Sequence, residues 1–267
     1  MKVLMIGAGN MGLTYAEGMA QAPVLNRRNL MIHDISQDKR DALRDKPYFD
    51  VFEKLEDGVK IADVIFLAVK PYHAEQLFNE MKPFVNNQQI LVSLMAGVSL
   101  DTITAGTGAQ KVVRTMPNLP AQVGKGVTSY TETAAVSRVE RLMIRNLLDT
   151  TGEAIHVESE NFINASTGIS GSGPAYVFYF MQSMLEAALD MGFSMNDARV
   201  LVTHTFDGAV TVFKNADISP EDWMDRVASK GGTTRAALDS MDDSNVKELI
   251  KKAAQAAFDR ATELGKE

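Results

Sequence analysis

The stretch Lys2-Val3-Leu4-Met5-Ile6-Gly7-Ala8-Gly9-Asn10-Met11-Gly12 decides the fold of this 267-residue chain. An apolar run typical of a strand ends in the pattern G-x-G-x-x-G, and a helical pattern follows directly. In such a turn Gly7 permits the tight bend, Gly9 lets the backbone approach a pyrophosphate, and Gly12 permits close helix–strand packing. The free amides of the next helix then face the phosphates. The stretch predicts a dinucleotide site, and a tight turn without a ligand is the alternative.

Asp34 ends the second candidate strand, about twenty positions after Gly12, where dinucleotide-binding folds place an acidic residue on the adenine ribose. A fixed carboxylate there accepts hydrogen bonds from a ribose diol and repels a 2′-phosphate. Ser36 and Lys39 follow, and they are suited to hold a phosphate if Asp34 points away. The alternative interpretation makes Asp34 the N-cap of the following helix. The residues by themselves favour NADH.

The first half of the chain alternates β-rich apolar runs with helical patterns, which indicates βαβ units around a parallel sheet. Most runs are continuously apolar, as expected when helices cover both faces of the sheet. The predicted strands are Lys2–Ile6, Leu30–Asp34, Asp63–Val69, Gln89–Leu94 and Lys111–Met116, with weaker runs at Gly126–Tyr130 and Ala154–Val157 around a helical stretch, Val136–Leu148.

After about residue 158 every periodic segment predicts a helix. Pro174–Met191 is apolar on nearly all sides. Gly192 is suited to end this helix, and Ser194 is suited to cap the next one. The last predicted helix, Ser244–Leu264, has one apolar face. So much apolar surface in a short helical domain indicates burial in a second subunit. We predict an α/β Rossmann-type parallel-sheet domain over 1–158 and an all-α dimerisation domain over 159–267.

Composition and charge exclude several classes of protein. The net charge is −7 without a clustered basic stripe, so we expect no nucleic-acid partner. The chain has no cysteine, which excludes disulfides and thiolate chemistry. Its four histidines are far apart in the sequence, and we assign no metal. The apolar runs are too short for a signal peptide or a membrane span, so we expect no membrane partner and a cytoplasmic protein.

Five further motifs fall at strand ends or in loops. They are Ala68-Val69-Lys70-Pro71, Met95-Ala96-Gly97, Arg114-Thr115-Met116-Pro117-Asn118, Ser170-Gly171-Ser172-Gly173-Pro174-Ala175-Tyr176 and Ser229-Lys230-Gly231-Gly232-Thr233-Thr234. In this order and spacing they resemble the pyrroline-5-carboxylate reductase family, whose enzymes complete proline biosynthesis. The resemblance covers essentially the whole chain, and the Gly-Gly-Thr-Thr loop is its most specific part.

The resemblance implies a coenzyme site at the carboxyl ends of the strands, where open α/β sheets bind ligands. With Asp34, the predicted coenzyme-binding residues are Ile6, Gly7, Ala8, Gly9, Asn10, Met11, Ala68, Val69, Lys70, Pro71, Leu94, Met95, Ala96 and Asn118. The resemblance places Lys70 near the coenzyme, and the alternative is a lysine that fixes its loop. We expect Arg114 to anchor the turn that contains Asn118.

Free amides at the start of the late helix form an anion site suited to a small carboxylate. The resemblance assigns Gly231, Gly232, Thr233 and Thr234 to the substrate carboxylate, with the catalytic Thr234 at the ring nitrogen. Plain helix capping by these threonines is the alternative, and Arg226 is a second candidate for the carboxylate. This chain departs from the family at Lys230, usually proline, and at Asp34, commonly serine.

The implied reaction is the NAD(P)H-dependent reduction of a cyclic imino acid, 1-pyrroline-5-carboxylate, to L-proline in a homodimer or higher homo-oligomer. NADPH is usual in the family, whereas Asp34 argues for NADH. One alternative is another two-domain NAD(P) reductase, such as a β-hydroxyacid dehydrogenase, but those enzymes usually carry a catalytic lysine on the first buried helix of the second domain. Pro174–Met191 has none. Another alternative is a non-catalytic dinucleotide sensor, which has no need of the Gly231–Thr234 loop.

Overall fold

A computed structural model describes residues 1–25 and 29–265. Within these residues the strands belong to one eight-stranded sheet. The strands are β1 (Val3–Ile6), β2 (Leu30–His33), β3 (Asp50–Val51), β4 (Val64–Leu67), β5 (Ile90–Ser93), β6 (Lys111–Met116), β7 (Gly126–Glu132) and β8 (Gly152–His156).

The sheet has the order β3-β2-β1-β4-β5-β6-β7-β8. From β3 to β6 all neighbours are parallel, and Val3 of β1 pairs with Leu30 on one side and Val64 on the other. The predicted Rossmann-type fold is confirmed, with one correction. Strand β7 runs antiparallel to β6, because their short connection has no room for the crossover that a parallel partner needs.

Helices cover both faces of this sheet. Val3 and Met5 belong to one apolar cluster, whereas Leu4 and Ile6 belong to another, as expected for alternating side chains of a fully buried strand. The helices are α1 (Asn10–Gln21), α2 (Gln37–Arg44), α3 (Leu55–Val59), α4 (Ala74–Met81), α5 (Leu100–Thr107), α6 (Arg138–Leu148) and α7 (Glu160–Ser166).

From Thr167 onward the described chain is helical. A π-helical turn, Thr167–Gly171, is followed by α8 (Gly173–Asp190), α9 (Met195–Lys214), α10 (Pro220–Val227), α11 (Thr233–Asp243) and α12 (Val246–Leu264). Ser194 caps α9, and Gly192 has a positive φ of 96°, as predicted. The last helix begins two residues later than expected, because Asn245 adopts a left-handed φ of 55°.

The chain divides into two compact units. Unit 1 comprises Met1–Ser172 and the residues from Ala256 onward, and unit 2 comprises Gly173–Gln255. In unit 1 the end of α12 lies beside the turn after β5, where a Cβ added to Gly97 would stand 3.5 Å from Leu264 Cβ. The predicted division at residue 158 stays a prediction.

Unit 2 has little apolar core of its own. Within residues 173–255 the described side chains that are buried are those of Ala198, Val202 and Ala228. On α8, by contrast, Phe178 and Tyr179 are 57% and 74% exposed. Among the described residues, no helix is both long enough and apolar enough to cross a membrane.

Candidate functional site

The glycine turn joins β1 to α1 at the carboxyl edge of the sheet. Gly7 has a φ of 99°, donates its N–H to His33 O at 2.8 Å, and leaves no space for a side chain against Ala68 O. At Gly12 an added Cβ would stand 2.1 Å from the Gly7 carbonyl oxygen. A Cβ added at Gly9, in contrast, would meet no atom within 4 Å. The turn therefore packs tightly against the protein at Gly7 and Gly12, whereas the space beside Gly9, at the start of α1, is open.

The side chain of Asp34 fixes the glycine turn by a hydrogen bond. Its buried carboxylate accepts hydrogen bonds from Ala8 N at 2.7 Å and Ser36 N at 2.9 Å, and Lys39 Nζ lies 3.3 Å from Oδ2. Burial raises the pKa of Asp34, but the Ser36 and Ala8 amides and the Lys39 ammonium outweigh it and hold the pKa below its ordinary value. Ser36 caps α2, so the interpretation of Asp34 as that helix's N-cap is wrong.

Three predicted coenzyme segments lie side by side at the same edge. Ala68 N donates to Ile6 O at 2.8 Å, and Leu94 N donates to Leu67 O at 2.9 Å, so the ends of β1, β4 and β5 are in register. Ile6, Gly7, Ala8 and Met95 are buried, whereas Asn10, Lys70, Pro71 and Ala96 are exposed. Gly9, Met11, Ala68, Val69 and Leu94 are half-buried. The strand ends are thus buried in the sheet, whereas the residues that follow them are accessible to a ligand.

Asn118 fixes the turn that follows β6. Its Nδ2 donates to Ser170 O at 3.1 Å, and its Oδ1 accepts from Val127 N at 2.9 Å. The side chain is buried and joins the end of β6 to β7 and to the π-helical turn. Such turns occur frequently at functional sites.

Arg114, on β6, is buried and paired with α7. Its Nη1 donates to Glu160 Oε1 at 2.7 Å, and its Nη2 donates to Asn164 Oδ1 at 2.9 Å. Neither partner was predicted, and both lie on α7 and not in the turn that contains Asn118, which Arg114 was expected to anchor. Because Glu160 and Asn164 are four positions apart on a helix, they share one face, and this spacing was an available signal.

The predicted substrate loop lies in unit 2 between α10 and α11. Gly232 N donates to Ser229 O at 3.0 Å, and Gly231 has a φ of 70°, so Ser229–Gly232 is a tight turn. Gly232 is the N-cap of α11, and its N–H is already bonded. The N–H groups of Thr233 and Thr234 are in the first turn, where a helix offers them no acceptor. Thr233 is exposed and Thr234 half-buried.

Arg226 is the other predicted substrate residue, and it lies on α10. Its guanidinium stacks over the Trp223 ring, 5.0 Å from the centroid. The start of α11 is tied to the same helix, since Arg235 Nη2 lies 2.8 Å from Asp225 Oδ1. The loop is therefore held between two connected helices. The described residues contain no group of three or more metal-ligating side chains.

The parallel strand order, with its reversal at β1 and the glycine turn at that point, defines a dinucleotide-binding protein of the Rossmann class with an added helical unit. A pyrroline-5-carboxylate reductase from Corynebacterium melassecola is 32% identical over 99% of this chain and 98% of its own length. The enzyme from Escherichia coli is 31% identical over 99% and 98%. The chain belongs to the pyrroline-5-carboxylate reductase family.

Family models and solved structures agree with this assignment. The model "Pyrroline-5-carboxylate reductase dimerisation" matches residues 160–264, and "NADP oxidoreductase coenzyme F420-dependent" matches residues 2–97. A pyrroline-5-carboxylate reductase from Coxiella burnetii has a TM-score of 0.93 at 30% identity and covers 98% of both chains. Plasmodium falciparum pyrroline carboxylate reductase, solved with NADP bound, has a TM-score of 0.88 at 27% identity, covering 99% of this chain and 98% of its own.

Proposed function

We propose that the protein reduces 1-pyrroline-5-carboxylate to L-proline with a reduced nicotinamide coenzyme, NADPH or NADH. The C=N bond accepts a hydride at carbon and a proton at nitrogen, so the cyclic imine becomes a secondary amine. The observation that carries the proposal is the similarity to pyrroline-5-carboxylate reductases along 99% of the chain. It includes both the glycine turn of unit 1 and the Gly231–Thr234 loop of unit 2.

The glycine turn fits a dinucleotide. The open space at Gly9 and the unbonded first-turn amides of α1 suit a pyrophosphate. We assign coenzyme binding to Ile6–Met11, Asp34, Ala68–Pro71, Leu94–Ala96 and Asn118. The coenzyme, when bound, supplies the hydride from C4 of its nicotinamide ring. The protein's part is to hold and orient the reactants.

We assign the substrate carboxylate to the Gly231–Thr234 loop, where the first-turn amides of α11 attract an anion. The Thr234 hydroxyl orients the ring nitrogen by a hydrogen bond, and Arg226 is the second candidate for the carboxylate. A protonated imine is already electrophilic, so a strong general acid is not required.

We also propose that the protein works as a homodimer or higher homo-oligomer joined through the helical unit. The match to the family's dimerisation model and the exposed apolar side chains of α8 support this assembly. A cytoplasmic location stays a prediction from the sequence.

The test is coenzyme oxidation in the presence of 1-pyrroline-5-carboxylate, with NADPH and NADH in parallel. We expect turnover with the cyclic imine and none with 3-hydroxy acids assayed in the oxidative direction with NADP or NAD. Turnover of the hydroxy acids alone would identify a β-hydroxyacid dehydrogenase. Coenzyme binding without any turnover would identify a non-catalytic sensor.

A further inference from the structure

The positive charge of the buried Arg114 guanidinium is neutralised by a carboxylate on α7. Arg114 is 4% exposed, and Glu160 Oε1 is 2.7 Å from its Nη1. A buried charge that loses its partner is strongly destabilising, so this ion pair fixes α7 against β6. Asn164 supplies a second, neutral acceptor from the next turn of the helix.

The same carboxylate oxygen also holds the start of α5. Leu100 N donates to Glu160 Oε1 at 3.0 Å, and Leu100 is the first residue of α5. A carboxylate at this position is favoured by the helix dipole as well as by the hydrogen bond. Glu160 therefore joins three elements of unit 1, namely β6, α5 and α7, through a single atom.

The Met95–Gly97 turn leads from β5 into α5 and lines a small cavity together with Arg114 and Asn164. A cavity of about 30 Å³, enough for one water molecule, separates the turn from Arg114, Asn164 and Thr167. Arg114 Nε is buried and has no hydrogen-bond partner among the described residues. With so little free volume, a shift of the guanidinium or of the start of α5 moves the turn.

We propose that Glu160 is a positioning residue for coenzyme binding. By fixing Arg114 and the Leu100 amide together, it sets the main chain of the Met95–Gly97 turn at the carboxyl end of β5. The inference rests on the proposed function, which assigns Met95 and Ala96 to the coenzyme. Glu160 acts through the turn and does not touch the coenzyme itself.

The test compares E160A with E160A/N164D and with a matched control, E140Q. The double variant restores a carboxylate to Arg114 but leaves Leu100 N without its acceptor. E140Q removes another ion pair of β6, Lys111 Nζ–Glu140 Oε1 at 2.7 Å, at the first residue of the strand. Glutamine at that position retains the capping box of α6.

The dissociation constants of NADPH and NADH are measured by coenzyme fluorescence without substrate, beside thermal unfolding of each variant. We expect E160A to raise both constants roughly tenfold, the order expected for one lost hydrogen bond to a charged group. E160A/N164D regains thermal stability but keeps the weakened binding. E140Q binds coenzyme as the wild type does, and KM for the imine at saturating coenzyme stays unchanged in E160A.

Equal coenzyme binding by E160A and E140Q would overturn the proposal, as would recovery of binding in E160A/N164D. If E160A does not fold, E160Q replaces it. Glutamine keeps an acceptor oxygen for Arg114 and Leu100 N but removes the charge, so both hydrogen bonds weaken, and both dissociation constants are expected to rise above those of E140Q by less than tenfold. A wild type that binds coenzyme but reduces no imine contradicts the proposed function and leaves this comparison of binding constants intact.

Discussion

Asp34 serves the glycine turn and the proposed ribose site with one side chain. Its carboxylate already accepts the Ala8 and Ser36 amides, so it is held in one orientation. Because these donors and Lys39 lower its pKa, the group is ionised at neutral pH. A fixed negative charge at the end of β2 favours a diol over a 2′-phosphate.

Replacement of Asp34 by serine is expected to shift the preference toward NADPH. Without the repelling charge KM for NADPH falls, with smaller effects on kcat, and the ratio of kcat/KM for NADPH to that for NADH rises roughly tenfold. Both values are measured at one fixed ionic strength. Asp38→Ser, on the exposed first turn of α2, removes an equal charge and is the control. A wild type that strongly prefers NADPH, with the same ratio in the variant, would show that Asp34 fixes the glycine turn but does not select the coenzyme.

Removal of the Thr234 hydroxyl is expected to slow the reaction without affecting coenzyme binding. Thr234→Ala loses the proposed hydrogen bond to the ring nitrogen, which raises the barrier by ~1–3 kcal/mol, a loss of roughly tenfold to a hundredfold in kcat/KM. The coenzyme dissociation constant, measured separately, stays at the wild-type value. Thr205→Ala on α9 is the control, since that hydroxyl bonds only within its own helix in the described structure. An unchanged kcat/KM would remove Thr234 from the mechanism.

At the residue scale, the sequence identifies side chains that follow motifs, but it does not identify their partners. Asp34 is predictable from its distance to the glycine turn, whereas its hydrogen bond to Ala8 N depends on how two strand ends meet. Glu160 and Arg114 are 46 residues apart in sequence, and only the fold brings them together. Long-range pairs of this kind carry no local periodicity.

Among the elements, the loop before α11 explains how this chain tolerates Lys230 where the family usually has proline. Lys230 is the second residue of the Ser229–Gly232 turn, and Gly231 takes the positive φ at the third position. Proline is favoured at the second position of such turns, but other residues are accepted there. The hydrogen bond between Gly232 N and Ser229 O closes the turn without proline.

Lys230→Pro is therefore expected to stabilise the protein by about 0.4–1 kcal/mol, because the ring limits the conformations of the unfolded chain. Imine reduction remains, since the amides of Thr233 and Thr234 keep their positions. The free energy of unfolding is measured with denaturant, and Lys230→Ala separates the loss of charge from the effect of the ring. Destabilisation by proline alone would mean that the turn is not of this type in solution.

The strands and helices were largely predictable, because continuous apolar runs and helical periodicity are local signals. Three features, two in the sheet and one in the last helix, were not predictable in this way. Strand β3 is only two residues long and leaves no pattern. The antiparallel direction of β7 follows from the length of its connection, and the late start of α12 follows from the left-handed backbone of Asn245. These depend on chain geometry and not on hydropathy.

At the scale of the whole molecule, unit 2 carries apolar surface that its own helices leave exposed. Phe178 on α8 is 57% exposed, and Val210 and Phe213 on α9 are also exposed. Large exposed apolar patches on a protein surface commonly mark sites where another protein binds. The family's dimerisation model covers the same helices.

Simultaneous replacement of Phe178 and Met181 by aspartate is expected to separate or unfold the subunits. Unpaired charges buried in an interface cost several kcal/mol each, whereas charges on a free surface cost little. Sedimentation at micromolar concentration measures the assembly, and Val139→Asp, at an exposed position of α6 in unit 1, is the control. A wild type that sediments as a stable monomer would contradict the proposed assembly.

The return of α12 to unit 1 has a consequence for synthesis on the ribosome. The Gly97 turn lies beside Leu264, but all of Gly173–Gln255 is translated between the two parts of the unit. At 5–20 residues per second this interval lasts roughly 4–17 s. A nascent chain in that interval carries the sheet of unit 1 without the helix that completes it. The proposed coenzyme edge of the sheet is therefore completed late in synthesis, although its glycine turn leaves the ribosome first.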